Sequence, residues 1–287
     1  LYSLDNLTST NGLYPAARGL GSINDKLYGY PFMLTNFQHL VYNGNVITDE
    51  LPTSWSALIV RERAQTLIAA AGQQGAALAL QLYHAQGGTL AEGENGFVFQ
   101  SVPLTAALAQ IYDGLNAGVL QSSSAETDTS DMAWAAFQTG AANVAMVDTT
   151  QLFAKRAKGN TSLFGSIPGP NEPTTPIVQG LVYAVTTPDA TRQALSAELI
   201  SWLTEANNLG EWSIAAQQLP AKPNAFNSWP VDPYTNFIKS ELSLAKAHPK
   251  TLSTAAQNAL GNAVISIITS PISPEAAADF VIQTLSP

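Results

Sequence analysis

Cysteine is absent from the 287-residue sequence. Its absence removes disulfides, thiolate metal sites and cysteine nucleophiles together. Histidine is scarce: with only His39, His84 and His248 present, a histidine-built metal site is not expected. Charge is scarce too. Charged residues make up 11% of the chain, and 12 Lys and Arg face 21 Asp and Glu, for a formal charge of −9. No basic stripe is there to neutralise a phosphate backbone, so nucleic acid is not expected as a partner. The same sign opposes adsorption to anionic lipid. No apolar run approaches the about 18 residues that a membrane span needs. Residues Leu1 to Thr10 lack the basic start and apolar core of a signal peptide. The expectation is a soluble body, with any signal or lipid anchor outside this sequence.

Catalytic signatures are missing as well. There is no G-x-S-x-G elbow, H-E-x-x-H, Walker loop or dinucleotide fingerprint. Glu92 and Glu94 lie in a Gly-rich turn, where solvated charges fit better than the acid and base of a glycosidase. An enzyme is not expected, and no cofactor is implied.

What is present is apolar residue in quantity, 46% of the chain, which argues for a packed core and against disorder. The length exceeds the usual single domain and predicts two lobes. Residues 1–25 are rich in Gly, Ser, Asn and Pro and read as irregular connection. Tyr28, Tyr30, Phe32, Phe37, Leu40, Val41 and Tyr42 then predict a strand pair within 26–47. Thr53 suits an N-cap for a helix through Leu58, Ile59 and Leu67, with Gly72 as its stop. A second helix opens at Ser101 and Pro103 and stops at Gly118. A third begins near Thr129, carries Trp134 and Phe137, and stops at Gly140.

The apolar run Ala142 to Val147 reads as a buried strand, and the proline-rich stretch 166–176 as a linker. Ile177 to Val185 is β-prone. Residues 187–208 follow as one long helix with Leu195, Leu199, Trp202 and Leu203 on one side, while 217–233, with four prolines, runs irregularly. Two helices, near 253–269 and 273–285, close the chain, the latter opened by Pro274. Alternating strands and helices make the class α/β with parallel or mixed sheets.

The order of these segments resembles the family-1 extracellular solute-binding proteins, the group that includes the maltose-binding protein. Lys26-Leu27-Tyr28-Gly29-Tyr30-Pro31-Phe32 followed by Leu40-Val41-Tyr42-Asn43 is similar to the family's K-x-Y-G-x-P…L-x-Y-N crossing between lobes. Leu51-Pro52-Thr53-Ser54-Trp55 resembles its P-x-T-W, Gln86-Gly87-Gly88 its x-G-G turn, and Ala136 to Met146 its A-F-x-x-G-x-A-A-M. Gln179 to Val185 resembles the second crossing strand, Ala194 to Leu203 the A-x-x-F-I-x-W-L helix, and Leu219-Pro220-Ala221 the G-x-L-P-x-R loop. Ser273 to Phe280 resembles the C-terminal helix. The resemblance covers nearly the whole chain but starts after the family's opening βαβ units, so the chain is expected to lack the family's amino-terminal part.

The resemblance implies a two-lobe, type II periplasmic-binding-protein architecture with crossing strands between lobes. On that pattern, 1–38 forms the remainder of lobe one and the first crossing, 39–176 lobe two, 177–232 more of lobe one, and 233–287 C-terminal helices returning to lobe two. It also implies a monomer outside the cytoplasm, in a periplasm or lipid-anchored, that passes a small polar solute, a sugar above all, to ABC permease subunits.

Candidate contacts follow from the crossings. Asn36 and Gln38 offer amides to hydroxyls, and Phe37 offers a ring to a sugar face, the other readings being strand core for Phe37 and solvent for Asn36. Asp148 and Thr149 stand where the family places ligand-facing residues. Asp148 is either an acceptor for hydroxyls or an amine, or a turn former. No Trp stands there, although the maltose-binding protein carries one for stacking. Tyr83 and Gln179 border the cleft by analogy. Trp229 is either an aromatic platform or a loop anchor, Trp134 and Trp202 read as helix core, and Trp212 reads as helix core or as a residue lining the cleft.

Overall fold

The computed structural model describes every residue except 7, 61–66, 69–71, 94–95, 157, 251, 271 and 286–287. Contacts divide the chain into two units, Leu1–Phe37 with Pro176–His248, and Gln38–Thr175 with Pro249–Pro287. The backbone leaves one unit for the other after Phe37, Thr175 and His248. Residues 233–248 lie in the first unit, apart from the two C-terminal helices.

In the first unit, Leu219–Pro220, Gly29–Thr35, Ile177–Ala184 and Lys246–Ala247 form a four-stranded sheet in that order. The first three are antiparallel neighbours, and Lys246–Ala247 runs parallel to Ile177–Ala184. Tyr30 and Leu34 are buried, while Phe32 and Met33 between them are half-buried where the register against Ile177–Ala184 shifts. Tyr30 joins Leu4, Leu27, Val185 and Ile200 in one apolar cluster, and its hydroxyl donates to the Ser9 carbonyl at 3.0 Å. Residues expected to be irregular include a short helix, Pro15–Gly21, with Pro15 in its first turn, where the missing N–H costs nothing.

In the second unit, Leu67–Ile68, Val144–Asp148, Gln38–Tyr42 and Leu163–Gly165 form the sheet, again in that order. Leu67–Ile68 is parallel to Val144–Asp148, and the other pairs are antiparallel. Val144 to Val147 are all buried, which is why the strand reads as an unbroken apolar run. The helices Gln73–Ala85, Ser101–Asn116, Thr254–Thr269 and Pro274–Leu285 pack on one another. Gly261 permits one of these contacts: a Cβ there would stand 2.7 Å from the Gly72 carbonyl oxygen.

The strand pair expected within 26–47 is divided between the two units. Gly29–Thr35 and Gln38–Tyr42 belong to different sheets, joined by Asn36, whose φ is 57°. Asparagine enters that left-handed region more readily than most residues, because its short polar side chain bonds locally. Asn36→Val should therefore cost about 1–2 kcal/mol and Asn36→Gly close to nothing, a contrast that urea unfolding of the two variants measures.

Helix boundaries differ where local signals compete. Ser54, rather than Thr53, caps the helix Trp55–Ile59, accepting from the Ala57 N–H at 3.4 Å. Part of the longer helix expected there, 61–66, lies outside the described residues; Leu67–Ile68 is a strand, and Gly72 precedes the helix Gln73–Ala85 instead of ending one. The helix expected over 187–208 is two, Ala190–Leu203 capped by Asp189 and Ala206–Ala216. The Thr204 hydroxyl back-bonds to the Ile200 carbonyl at 2.7 Å and closes the first. Its inward face is Ala197 and Ile200, so Leu195, Leu199 and Trp202 are more than half exposed, contrary to the core reading of Trp202. Asp232 and Pro233 start a helix, Pro233–Leu244, in a stretch whose prolines masked it.

Candidate functional site

Strand Val144–Asp148 ends where two helices begin. Thr129 caps Ser130–Gln138, and Thr149–Arg156 follows Asp148 directly. The Asp148 N–H donates to Ser130 Oγ at 2.6 Å, tying the strand end to the first helix. Asp148 Oδ1 accepts from the Thr150 N–H at 2.9 Å and the Thr150 hydroxyl at 2.8 Å, so the side chain satisfies an orphan donor of the second helix. Gln151 Nε2 donates to Asp131 Oδ1 beside it. Burial pushes the Asp148 carboxyl above the usual carboxylate range, against the two Thr150 bonds that favour its ionised form.

Gln38 stands opposite Asp148 in the sheet register. It is 8% exposed, and its Oε1 has no hydrogen-bond partner. The next residue, His39, is buried, and burial holds its imidazole neutral, with the pKa pushed down to about 3. The second unit thus gathers Gln38, Asp131 and Asp148, rich in acceptors, at one end of its sheet.

The first unit has its own polar feature. Asn36 Nδ2 donates to Gln179 Oε1 at 2.9 Å, joining the end of Gly29–Thr35 to its neighbour, where Gln179 pairs with Thr35. The Asn36 carbonyl and Gln179 amine remain for another partner. Three rings of this unit meet one another. Phe32 stacks on Tyr183 at 4.1 Å and meets Trp212 edge-on at 5.5 Å, and Trp212 is 41% exposed, not helix core. Phe32 and Tyr183 lie far apart in sequence and meet only because Gly29–Thr35 pairs with Ile177–Ala184.

Four expected contacts are packing residues. Phe37 is fully buried with its ring near Phe237, and Thr149 is fully buried at the strand–helix junction. Tyr83 is fully buried on Gln73–Ala85; its hydroxyl donates to the Thr89 carbonyl at 2.7 Å and accepts from the Gln100 N–H at 3.0 Å. Trp229 is a loop anchor: it is buried, its indole N–H donates to Ser213 Oγ at 2.8 Å, and its ring lies 5.0 Å from Phe226. Phe37, Tyr83 and Thr149 stand out by their place in the motif order and Trp229 by its place in a proline-rich segment, and neither carries information on facing. Asn36, Gln38, Asp148 and Gln179 remain as two polar pairs, one in each unit.

The family model described as bacterial extracellular solute-binding protein matches residues 1–238. The chain belongs to this family. Solved structures share the fold of this solute-binding protein at low identity. The sugar-binding protein MalE of Xanthomonas citri is 15% identical with a TM-score of 0.81, over 99% of this chain and 77% of that one. The cyclic alpha-maltosyl-1,6-maltose binding protein of Arthrobacter globiformis is 17% identical with a TM-score of 0.79, over 99% and 78%. The maltotriose-bound MalE domain of Bdellovibrio bacteriovorus is 16% identical with a TM-score of 0.71, over 99% and 79%. No curated protein matches the sequence.

The fold is thus that of the two-lobe periplasmic binding proteins, mixed α/β as the alternation of elements implied. Family membership makes the protein one that binds solutes outside the cytoplasm. Among the described residues no helix is long and apolar enough to cross a membrane, and no group of three or more His, Asp or Glu is placed to hold a metal ion.

Proposed function

We propose that this solute-binding protein captures a sugar or oligosaccharide and delivers it chemically unchanged to the transmembrane subunits of an ABC importer. The family match over residues 1–238 carries the reading. The maltose and maltodextrin ligands of several proteins that share its fold support a carbohydrate as the cargo. The proposed contacts are Asn36 and Gln179 in the first unit and Gln38 and Asp148 in the second. Amides and a carboxylate are the side chains that hydrogen-bond hydroxyl groups in several directions at once. The exposed Trp212 face adds an apolar surface of the kind on which a sugar ring stacks. The protein acts as a monomer, free in a periplasm or lipid-anchored at the outer face of the membrane, and performs no catalysis.

Thermal unfolding against a panel of sugars, polyols, amino acids and polyamines tests the reading. A ligand at about a hundredfold its Kd stabilises the native state by about 2.7 kcal/mol, and the melting temperature rises accordingly. A shift with at least one carbohydrate, with the ligand recovered intact, is the expected result. Absence of any carbohydrate shift, or release of a hydrolysis product, ends the proposal.

A further inference from the structure

Among the described residues, no cationic side chain is paired with Asp148 at the end of strand Val144–Asp148. Gln38 and Asp148 are direct cross-strand partners, so their side chains leave the same face of the sheet, with Cβ atoms about 5 Å apart. Gln38 Oε1 is buried and unpartnered, a state that costs about 1–3 kcal/mol. That cost is recovered when an incoming group donates to the oxygen. On Asp148, Oδ1 already takes both Thr150 bonds, and no cationic side chain contributes to the environment of the carboxyl. The basic residues of the adjoining helix, Lys155 and Arg156, are in its last turn. Asp131 adds a second carboxylate beside the strand end through Gln151.

A neutral hydroxyl can donate to both Gln38 and Asp148. It leaves the carboxylate charge uncompensated as water departs, however, and a buried charge without a counter-charge is costly. An ammonium group supplies three donors and cancels the charge in the same contact. The overall charge of −9 favours the approach of such a ligand. We propose that Gln38 and Asp148 hold a protonated amine, so that the preferred solute is a sugar or polyol bearing a positively charged amino group instead of a neutral carbohydrate. The inference rests on the reading above that these residues touch the solute, and it deepens that reading from hydroxyl recognition to charge recognition.

Isothermal titration calorimetry on the 287-residue chain tests it with matched pairs: glucosamine against glucose, and chitobiose against N,N′-diacetylchitobiose, with maltose as a further neutral probe. At a pH where the amine is protonated, each amine should bind at least about tenfold more tightly than its neutral counterpart. Asp148→Asn keeps an oxygen for the Thr150 bonds and removes the charge. It should erase the preference by weakening each amine ligand at least about tenfold more than its neutral counterpart. Gln38→Met removes the acceptor at nearly constant size and should narrow the preference, which serves as an independent arm if Asp148→Asn folds poorly. Equal binding of amine and neutral partners, or a preference that survives Asp148→Asn, overturns the inference and leaves sugar capture standing. If no ligand of either kind binds, the inference and the carbohydrate reading fall together.

Discussion

Tyr83→Ala should lower stability by about 3–5 kcal/mol, the range for removing a large buried ring. The ring is fully buried and packs edge-on against Phe99 at 5.2 Å. Gly88 lies against its other side so closely that an added Cβ would come within 2.4 Å of the ring. The hydroxyl bridges the Thr89 carbonyl and the Gln100 N–H, fastening the Gly87–Gly88 turn to the residue that precedes the helix Ser101–Asn116. Tyr83→Phe keeps the ring and strands both backbone groups, for an expected loss of about 1–3 kcal/mol. Urea midpoints with unchanged m-values measure both losses. Were Tyr83 a solute contact, as its place in the motif order suggested, Tyr83→Phe would weaken binding with stability intact; the reverse pattern is expected here.

Acid should destabilise the protein through His39. Its imidazole is buried beside Val147 on the neighbouring strand, and burial pushes its pKa from 6.5 down to about 3. The unfolded chain therefore binds this proton at a higher pH than the folded chain does. Stability from this residue is complete above pH 6.5 and is lost as the pH falls toward 3. At about 1.4 kcal/mol per pH unit, the interval corresponds to a loss of about 5 kcal/mol. Asp148 works in the opposite sense. Its folded carboxyl takes a proton more readily than the unfolded one, so acidification through its raised pKa favours folding and offsets part of the loss. Denaturant unfolding of the wild type and His39→Gln between neutral pH and pH 4 isolates the term, because the variant lacks this titration. Parallel pH profiles for the two would show that His39 is not held neutral.

Features that depend on neighbours in sequence were legible. Thr129 and Ser253 cap helices through bonds to N–H groups three residues on, and such caps are local chemistry. The run at Val144 to Val147 is apolar because both faces of its strand are covered. The α/β class and the succession of family-like segments follow from the same local patterns, and the family match agrees with them. Of the candidate site, Asn36, Gln38, Asp148 and Gln179 could be named from their motif positions, but their pairing could not be read there. Asn36 meets Gln179, and Gln38 faces Asp148, across more than a hundred residues of chain in each case.

Tertiary structure alone decided which sheet each strand joined and which side of each element met solvent. Gly29–Thr35 and Gln38–Tyr42 follow one another closely in sequence, yet they join different sheets, with the left-handed Asn36 between them. Leu195, Leu199 and Trp202 make an apolar stripe, yet Ala197 and Ile200 are the buried residues of the helix Ala190–Leu203, Ile200 packing with Leu4, Leu27, Tyr30 and Val185. Tyr83 and Trp229 have the composition of sugar platforms and the positions of core anchors. Composition and periodicity are properties of the chain within a turn or two, and they determined the class, the family and some of the helix starts, those near Thr129 and Ser253 among them. Facing and register are set by what packs from far away in the sequence, and they decided which residues remain for a solute to touch.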